Sequence, residues 1–119
     1  MDINYLKENG IDIDNSLEIL GDIETYNEIL NDFYGELGDK LTNLEIYKNE
    51  SDMENYSILV HALKGECKYL GINDLADICY NHQLKAEENN INYINDNFNE
   101  LIDNANKVKE IVKKYIENI

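Results

Sequence analysis

An all-α fold, an antiparallel four-helix bundle with short extra helices at its N-terminus, is predicted by three observations. Apolar residues recur at three-and-four spacing almost from end to end. There is no proline, and only six glycines interrupt the pattern in 119 residues. The breaks that do occur, near Gly10, Gly21, Glu50, Gly71 and Asn89, are too short to be more than turns. A single domain over residues 1–119 is the expectation, since a chain of this length has room for one modest core.

Taken in order, Ile3, Tyr5 and Leu6 predict a short opening helix that ends at Gly10. Asp14 or Asn15 is the expected cap of a second short helix, which runs through Leu20 and stops at Gly21. Asp22 then caps a long helix from Ile23 to about Asn49. Its apolar face carries Ile23, Tyr26, Ile29 or Leu30, Phe33, Leu37, Leu41, Leu44 and Tyr47, while Gly35 and Gly38 inside it weaken the case for continuity. Asn49-Glu50-Ser51 is a turn, Ser51 or Asp52 caps the next helix, and Gly71-Ile72-Asn73 ends that helix and opens a hairpin. Leu75, Ile78 or Cys79, His82 and Ala86 form the stripe of the following helix. After Asn89-Asn90 a last helix carries Tyr93 or Ile94, Phe98, Leu101 or Ile102, Ala105, Val108, Ile111 or Val112, and Tyr115. Four helices of this length with short links fold back and forth as a bundle, and the N-terminal pieces cover one end.

Composition narrows the functional classes. The formal charge of −15 describes a strongly acidic surface, and all ten basic residues are lysines, so no arginine is present for bidentate phosphate or guanine contacts. Nucleic acid is therefore excluded as an expected partner. The charge is uneven: residues 1–60 hold 15 acids and 3 lysines, whereas residues 61–119 hold 10 acids and 7 lysines. No apolar run approaches the ~20 residues of a membrane span, and no charged n-region with an apolar h-region opens the chain. A cytoplasmic, monomeric protein is the expectation. Cys67 and Cys79 fall on apolar helix faces, which suits reduced core thiols better than a disulfide or metal site.

The stretch from His61 to Gly71 carries the functional signal. Tyr56, Leu59, Leu63, Cys67 and Leu70 make one apolar stripe. His61 lies roughly 150° from its centre at ~100° per residue, on the side of Ser57, Lys64, Gly65 and Lys68. The helix thus presents an imidazole to water, with a lysine one turn on. Gly65 is the least ordinary member, because a mid-helix glycine costs ~1 kcal/mol relative to alanine and no turn is signalled nearby. Close approach of another molecule to the backbone explains it.

His61-Ala62-Leu63-Lys64-Gly65 followed by Leu70-Gly71 resembles the motif of histidine-containing phosphotransfer (HPt) domains. The likeness continues through Leu75, Ala76 and Cys79, and Gly10-Ile11-Asp12, Ser16-Leu17-Glu18 and Leu20-Gly21-Asp22 resemble the segment that opens such domains. It implies a phosphorelay module in two-component signalling that accepts and donates a phosphoryl group on His61. The implied partner is the receiver domain of a response regulator or hybrid histidine kinase, whose aspartate exchanges phosphate with the histidine. No intrinsic cofactor is implied, and a divalent metal is expected on the partner receiver. The resemblance is to a phosphocarrier, and a bundle of this size has no ATP site with which to phosphorylate itself.

The residues fit that chemistry on physical grounds. An imidazole with the unperturbed pKa of ~6.5 is mostly neutral near pH 7 and needs no general base to attack phosphorus. Phosphoryl transfer is mainly positioning and charge stabilisation, which Lys64 supplies at one turn and Lys68 at longer range. Residues equally far from Ile72 in an antiparallel hairpin share a level, so His61 is paired in height with Gln83. That amide is placed to hold one ring nitrogen and leave the other free, and HPt domains often carry Gln or Glu at this place. Two positions depart from the family's pattern. Glu66 stands where a small residue is usual, and His82 stands where an apolar one is common; on that line His82 reads as a satisfied core residue.

Two other readings use the same residues. A metal bundle built from His61, His82, Cys67 and Cys79 fails on spacing, for there is no Glu-x-x-His pair, and Asp12-x-Asp14 lacks the rest of a calcium loop. An acidic helical adaptor that never carries phosphate fits the charge and the exposed histidine. Uptake of acid-labile phosphate from a phosphorylated receiver separates it from a carrier.

Overall fold

The computed structural model describes residues 2–119, and its six α-helices follow the breaks in the apolar pattern. They are α1 (Ile3–Glu8), α2 (Ile13–Leu20), α3 (Ile23–Asn49), α4 (Met53–Leu70), α5 (Asn73–Glu87) and α6 (Ile91–Ile116). No strand occurs among the described residues. The 40 Å long axis of the molecule is the length that the 27 residues of α3 span at about 1.5 Å each, and α3 runs unbroken through Gly35 and Gly38.

Aspartate and asparagine start most of these helices. The side chains of Asp2, Asp12, Asp22, Asp52 and Asn90 each accept a hydrogen bond from a backbone N–H of the first turn, which satisfies one of the donors a helix leaves unpaired. The bonds to Thr25 and Asn55 hold the Asp22 and Asp52 carboxyls below the usual carboxylate range. The cap of α4 is Asp52, while Ser51 takes a left-handed turn conformation at φ 56°.

At α2 the start differs from expectation. Asp12 is the cap and Asp14 lies within the first turn. The reason is tertiary: the Asp12 N–H donates to the Gly71 carbonyl at 2.9 Å, which fixes the chain there, and Ile11 and Ile13 on either side are buried in the core. Gly71 is in turn shaped by this contact. It ends α4 in the left-handed region at φ +77°, and a Cβ on it would lie 2.3 Å from the Asp12 carbonyl oxygen. The residue is thus both the stop signal the sequence implied and the bearing on which the N-terminal segment rests.

The four long helices close into a ring, with α3 and α5 each packed on both α4 and α6. Contacts along the seams run in opposite senses: Asn27 meets Tyr115 and Lys48 meets Phe98 between α3 and α6, and His61 meets Gln83 and Lys64 meets Tyr80 between α4 and α5. Tyr26, Leu30, Phe33, Leu37, Leu41 and Leu44 form the buried line of α3, as their spacing predicts, whereas Ile23 at its start is exposed. On α4 the buried set is wider than one stripe. Val60 is fully buried and Leu59 only half-buried, because α2, α3 and α5 all pack on this helix. The Tyr26 hydroxyl donates to the Leu70 carbonyl at 2.8 Å, which ties the end of α4 to the start of α3. Burial raises the Tyr26 pKa, and the phenol stays a donor. The α4–α5 pair, packed along its length after the turn at Gly71-Ile72, sets the height at which His61 faces its neighbours.

Candidate functional site

Two successive levels of the α4–α5 pair make the site. At the first, His61 Nδ1 lies 3.1 Å from Gln83 Oε1, and the Gln83 amide continues to Glu87, its Nε2 donating to Oε1 at 2.8 Å. His61 is exposed and Gln83 half-buried, and with Ser57, Ile58 and Glu87 they line a shallow depression open to solvent. The hairpin geometry therefore does bring the two predicted residues together. An amide oxygen accepts and never donates, so the His61 nitrogen that faces it carries the proton. In the neutral form of such a ring the remaining nitrogen, Nε2, keeps its lone pair.

At the second level, one turn along α4 and one turn back along α5, the Lys64 ammonium lies 5.0 Å from the centre of the Tyr80 ring. A cation over a partly exposed aromatic face is held by only about 0.5–1 kcal/mol. Lys64 is therefore held over Tyr80 by a weak, non-directional attraction. Tyr80 and Glu87 were not read from the sequence, although both were within its reach. Tyr80 is as far after Ile72 as Lys64 is before it, and Glu87 follows Gln83 at the i,i+4 spacing of one helix face.

Gly65 does not line the His61 depression. It lies in a groove between α2 and α4 with Asn15, Ile19, Lys68, Tyr69 and Asn73. A Cβ built on Gly65 meets nothing within 4 Å, so packing inside this chain does not require the glycine. Lys68, the longer-range candidate, is exposed in the same groove.

The two departures in the motif resolve differently. Glu66 pairs with Lys40 of α3, which also binds Glu36, so its charge is neutralised across the α3–α4 seam away from the histidine. Those bonds outweigh burial and raise the Lys40 pKa, keeping the ammonium charged. His82 is 1% exposed, with Nδ1 2.8 Å from the Tyr56 hydroxyl and its ring stacked on Tyr56 and edge-on to Tyr93. Burial pushes its pKa down to about 4, against a smaller opposing pull from the Asn97 backbone, and Nε2 makes no hydrogen bond. His82 is thus a neutral core residue with one nitrogen satisfied, unreachable by a phosphodonor. Cys67 and Cys79 are free, fully buried thiols; burial pushes the Cys79 thiol up to about 12 and that of Cys67 further. No group of three or more possible metal-binding side chains occurs among the described residues, and no helix is long and apolar enough to cross a membrane.

The bundle thus offers solvent one imidazole, held through Nδ1 by Gln83, with Lys64 one turn further along the same helix. The Hpt domain family model matches residues 28–110, from the first turns of α3 into α6, and the chain belongs to that family. His61, Lys64, Gly65 and Gln83 all fall within the matched range; α1 and α2, with the opening segment that resembled the family, lie outside it. No curated protein and no solved structure matches the chain. Members of the family are phosphocarriers that pass phosphoryl groups through a histidine in phosphorelay signalling, work with receiver domains, and have no kinase activity of their own.

Proposed function

We propose that His61 is the residue that carries the phosphoryl group, through Nε2, and that it exchanges the group with the aspartate of a receiver domain. The observation that carries this reading is the hydrogen bond between His61 Nδ1 and Gln83 Oε1, which leaves Nε2 as the free nucleophile on an exposed face. In the accepting direction the Nε2 lone pair attacks phosphorus of the aspartyl phosphate. The N–P bond forms, the P–O bond to the aspartate breaks, and the electron pair leaves with the carboxylate. No proton has to move: the ring retains its Nδ1–H and gains positive charge, which the Gln83 oxygen stabilises at the moment it develops. Lys64 leaves the Tyr80 face and pairs with the non-bridging oxygens. The reverse steps return the group to a carboxylate.

Because the fold is held by the buried faces of α3 to α6, the chain supplies position and charge only. The divalent cation belongs to the receiver's site, and this chain needs no cofactor. Lys64 and Lys68 give the transfer face two positive charges on a strongly acidic protein, which favours an approaching acyl phosphate locally.

The test is His61→Gln. The variant should melt like wild type, since the side chain is exposed, and should take up no acid-labile phosphate from phosphoramidate or a phosphorylated receiver. Labelling that survives the substitution would remove His61 from the mechanism. A folded wild type that never labels would leave the acidic adaptor as the reading.

A further inference from the structure

We propose that Glu87 is a positioning residue that sets the tautomer of His61 by orienting the amide of Gln83. The two ends of a glutamine amide are close in shape and opposite in hydrogen-bonding character: the oxygen accepts and the NH2 donates. Gln83 lies between a group that does either, the imidazole, and a group that only accepts, the Glu87 carboxylate. The choice of end is therefore made at Glu87. Its oxygen binds Nε2 of Gln83 at 2.8 Å, which turns Oε1 toward His61 at 3.1 Å, and only an Nδ1–H tautomer completes that bond. With the amide reversed, the NH2 would face Nδ1, the ring proton would move to Nε2, and the free lone pair would point inward instead of to solvent.

The position of Glu87 supports a role beyond solubility. It is the last residue of α5, where the helix dipole disfavours a carboxylate, and it is exposed. A residue chosen for helix stability there would be neutral or basic. Glu88, next in the chain, is bound to Lys85 at 3.6 Å, whereas the Glu87 carboxylate is engaged by the Gln83 amide.

The inference rests on His61 being the phosphoacceptor only for its kinetic consequence; the tautomer is measured without phosphate. Long-range ¹H–¹⁵N NMR of the wild type should give a His61 ring that is mainly Nδ1–H when neutral. In Glu87→Ala the amide is free to reverse, and the Nε2–H form should rise. The labelling rate from phosphoramidate should then fall roughly two- to tenfold, the equilibrium worth of one net hydrogen bond. Glu87→Gln, which can present either end, should lie between the two. Helix stability should hold or improve in Glu87→Ala, and CD melting separates a positioning effect from loss of fold.

A second background isolates the route. In Gln83→Glu both side-chain oxygens accept, so orientation no longer matters, and adding Glu87→Ala should leave the His61 tautomer where it was. A tautomer ratio that does not respond to Glu87→Ala in the Gln83 protein overturns the proposal. So does an equal response in both backgrounds, because Glu87 would then act through its charge. If the tautomer shifts as expected while His61→Gln still labels, this inference stands and the carrier assignment falls.

Discussion

Gly65 and Gly71 lie within two turns of each other on α4, and substitution should move stability in opposite directions. At Gly65 the backbone is helical and an added Cβ meets nothing within 4 Å, so alanine removes the chain-entropy cost of a mid-helix glycine without a clash. Gly65→Ala should stabilise by about 0.5–1 kcal/mol, which for a domain of this size raises Tm by a few degrees. At Gly71 the cost is twofold. The left-handed conformation at φ +77° costs about 1–2 kcal/mol for a residue with a Cβ, and that Cβ would sit 2.3 Å from the Asp12 carbonyl oxygen, a backbone atom that moves only with its segment. Gly71→Ala should therefore destabilise by at least about 2 kcal/mol and loosen α2. The functional half of the prediction uses Gly65→Gln. Its side chain fills the groove beside Ile19 and Tyr69, so transfer from a phosphorylated receiver should fall while labelling by phosphoramidate, which needs no docking, persists. Urea melts of the three variants beside both labelling assays make the test. A Gly65→Ala protein less stable than wild type, or undiminished receiver transfer in Gly65→Gln, would refute close approach of a partner as the reason for the glycine.

Lys64→Ala should leave the melting temperature within a degree or two and slow receiver transfer by about tenfold or more, the worth of one charge-assisted hydrogen bond, with a shorter phosphohistidine lifetime in quenched time courses; unchanged kinetics would reduce Lys64 to a surface lysine. His82 predicts a pH dependence. Its folded pKa of about 4 lies below the 6.5 of the exposed side chain, so the unfolded chain binds more protons. Stability from this group is complete above pH 6.5 and declines as the pH falls toward 4, by about 3 kcal/mol in all. His82→Phe should flatten that part of the stability profile whatever its effect at neutral pH, and an unchanged slope would show that the imidazole is not buried in its neutral form.

Much of the fold was legible because it rests on local rules. The apolar spacing of α3 from Tyr26 to Leu44, the aspartates at helix starts and Gly71 at the end of α4 each depend on neighbours within a turn or two. What could not be read depends on pairs far apart in the chain. Asp12 displaced Asp14 as a cap because Gly71, 59 positions on, holds its N–H. Val60 is buried, beyond its helix's first stripe, because α2, α3 and α5 all pack on α4. Glu66 looked like an acid intruding on a phosphate site until Lys40 of α3 was found against it.

The site sat between these extremes. One assumption, an antiparallel hairpin centred on Ile72, was enough to place Gln83 opposite His61, and the same rule places Tyr80 opposite Lys64. Each level sets one polar residue of α4 against one side chain of α5, and each serves a different part of the chemistry. In the proposed carrier the contact at His61 is directional and would fix which nitrogen reacts, whereas the one at Lys64 is a weak, non-directional attraction that would keep a charge near and let it go. That division follows from what phosphate exchange requires. A nucleophile must be held in one protonation geometry through both directions of transfer, whereas a charge that neutralises the phosphoryl oxygens must engage only while they are present. On the same reading, a Gln83 amide not engaged by Glu87 would leave the imidazole tautomer to chance.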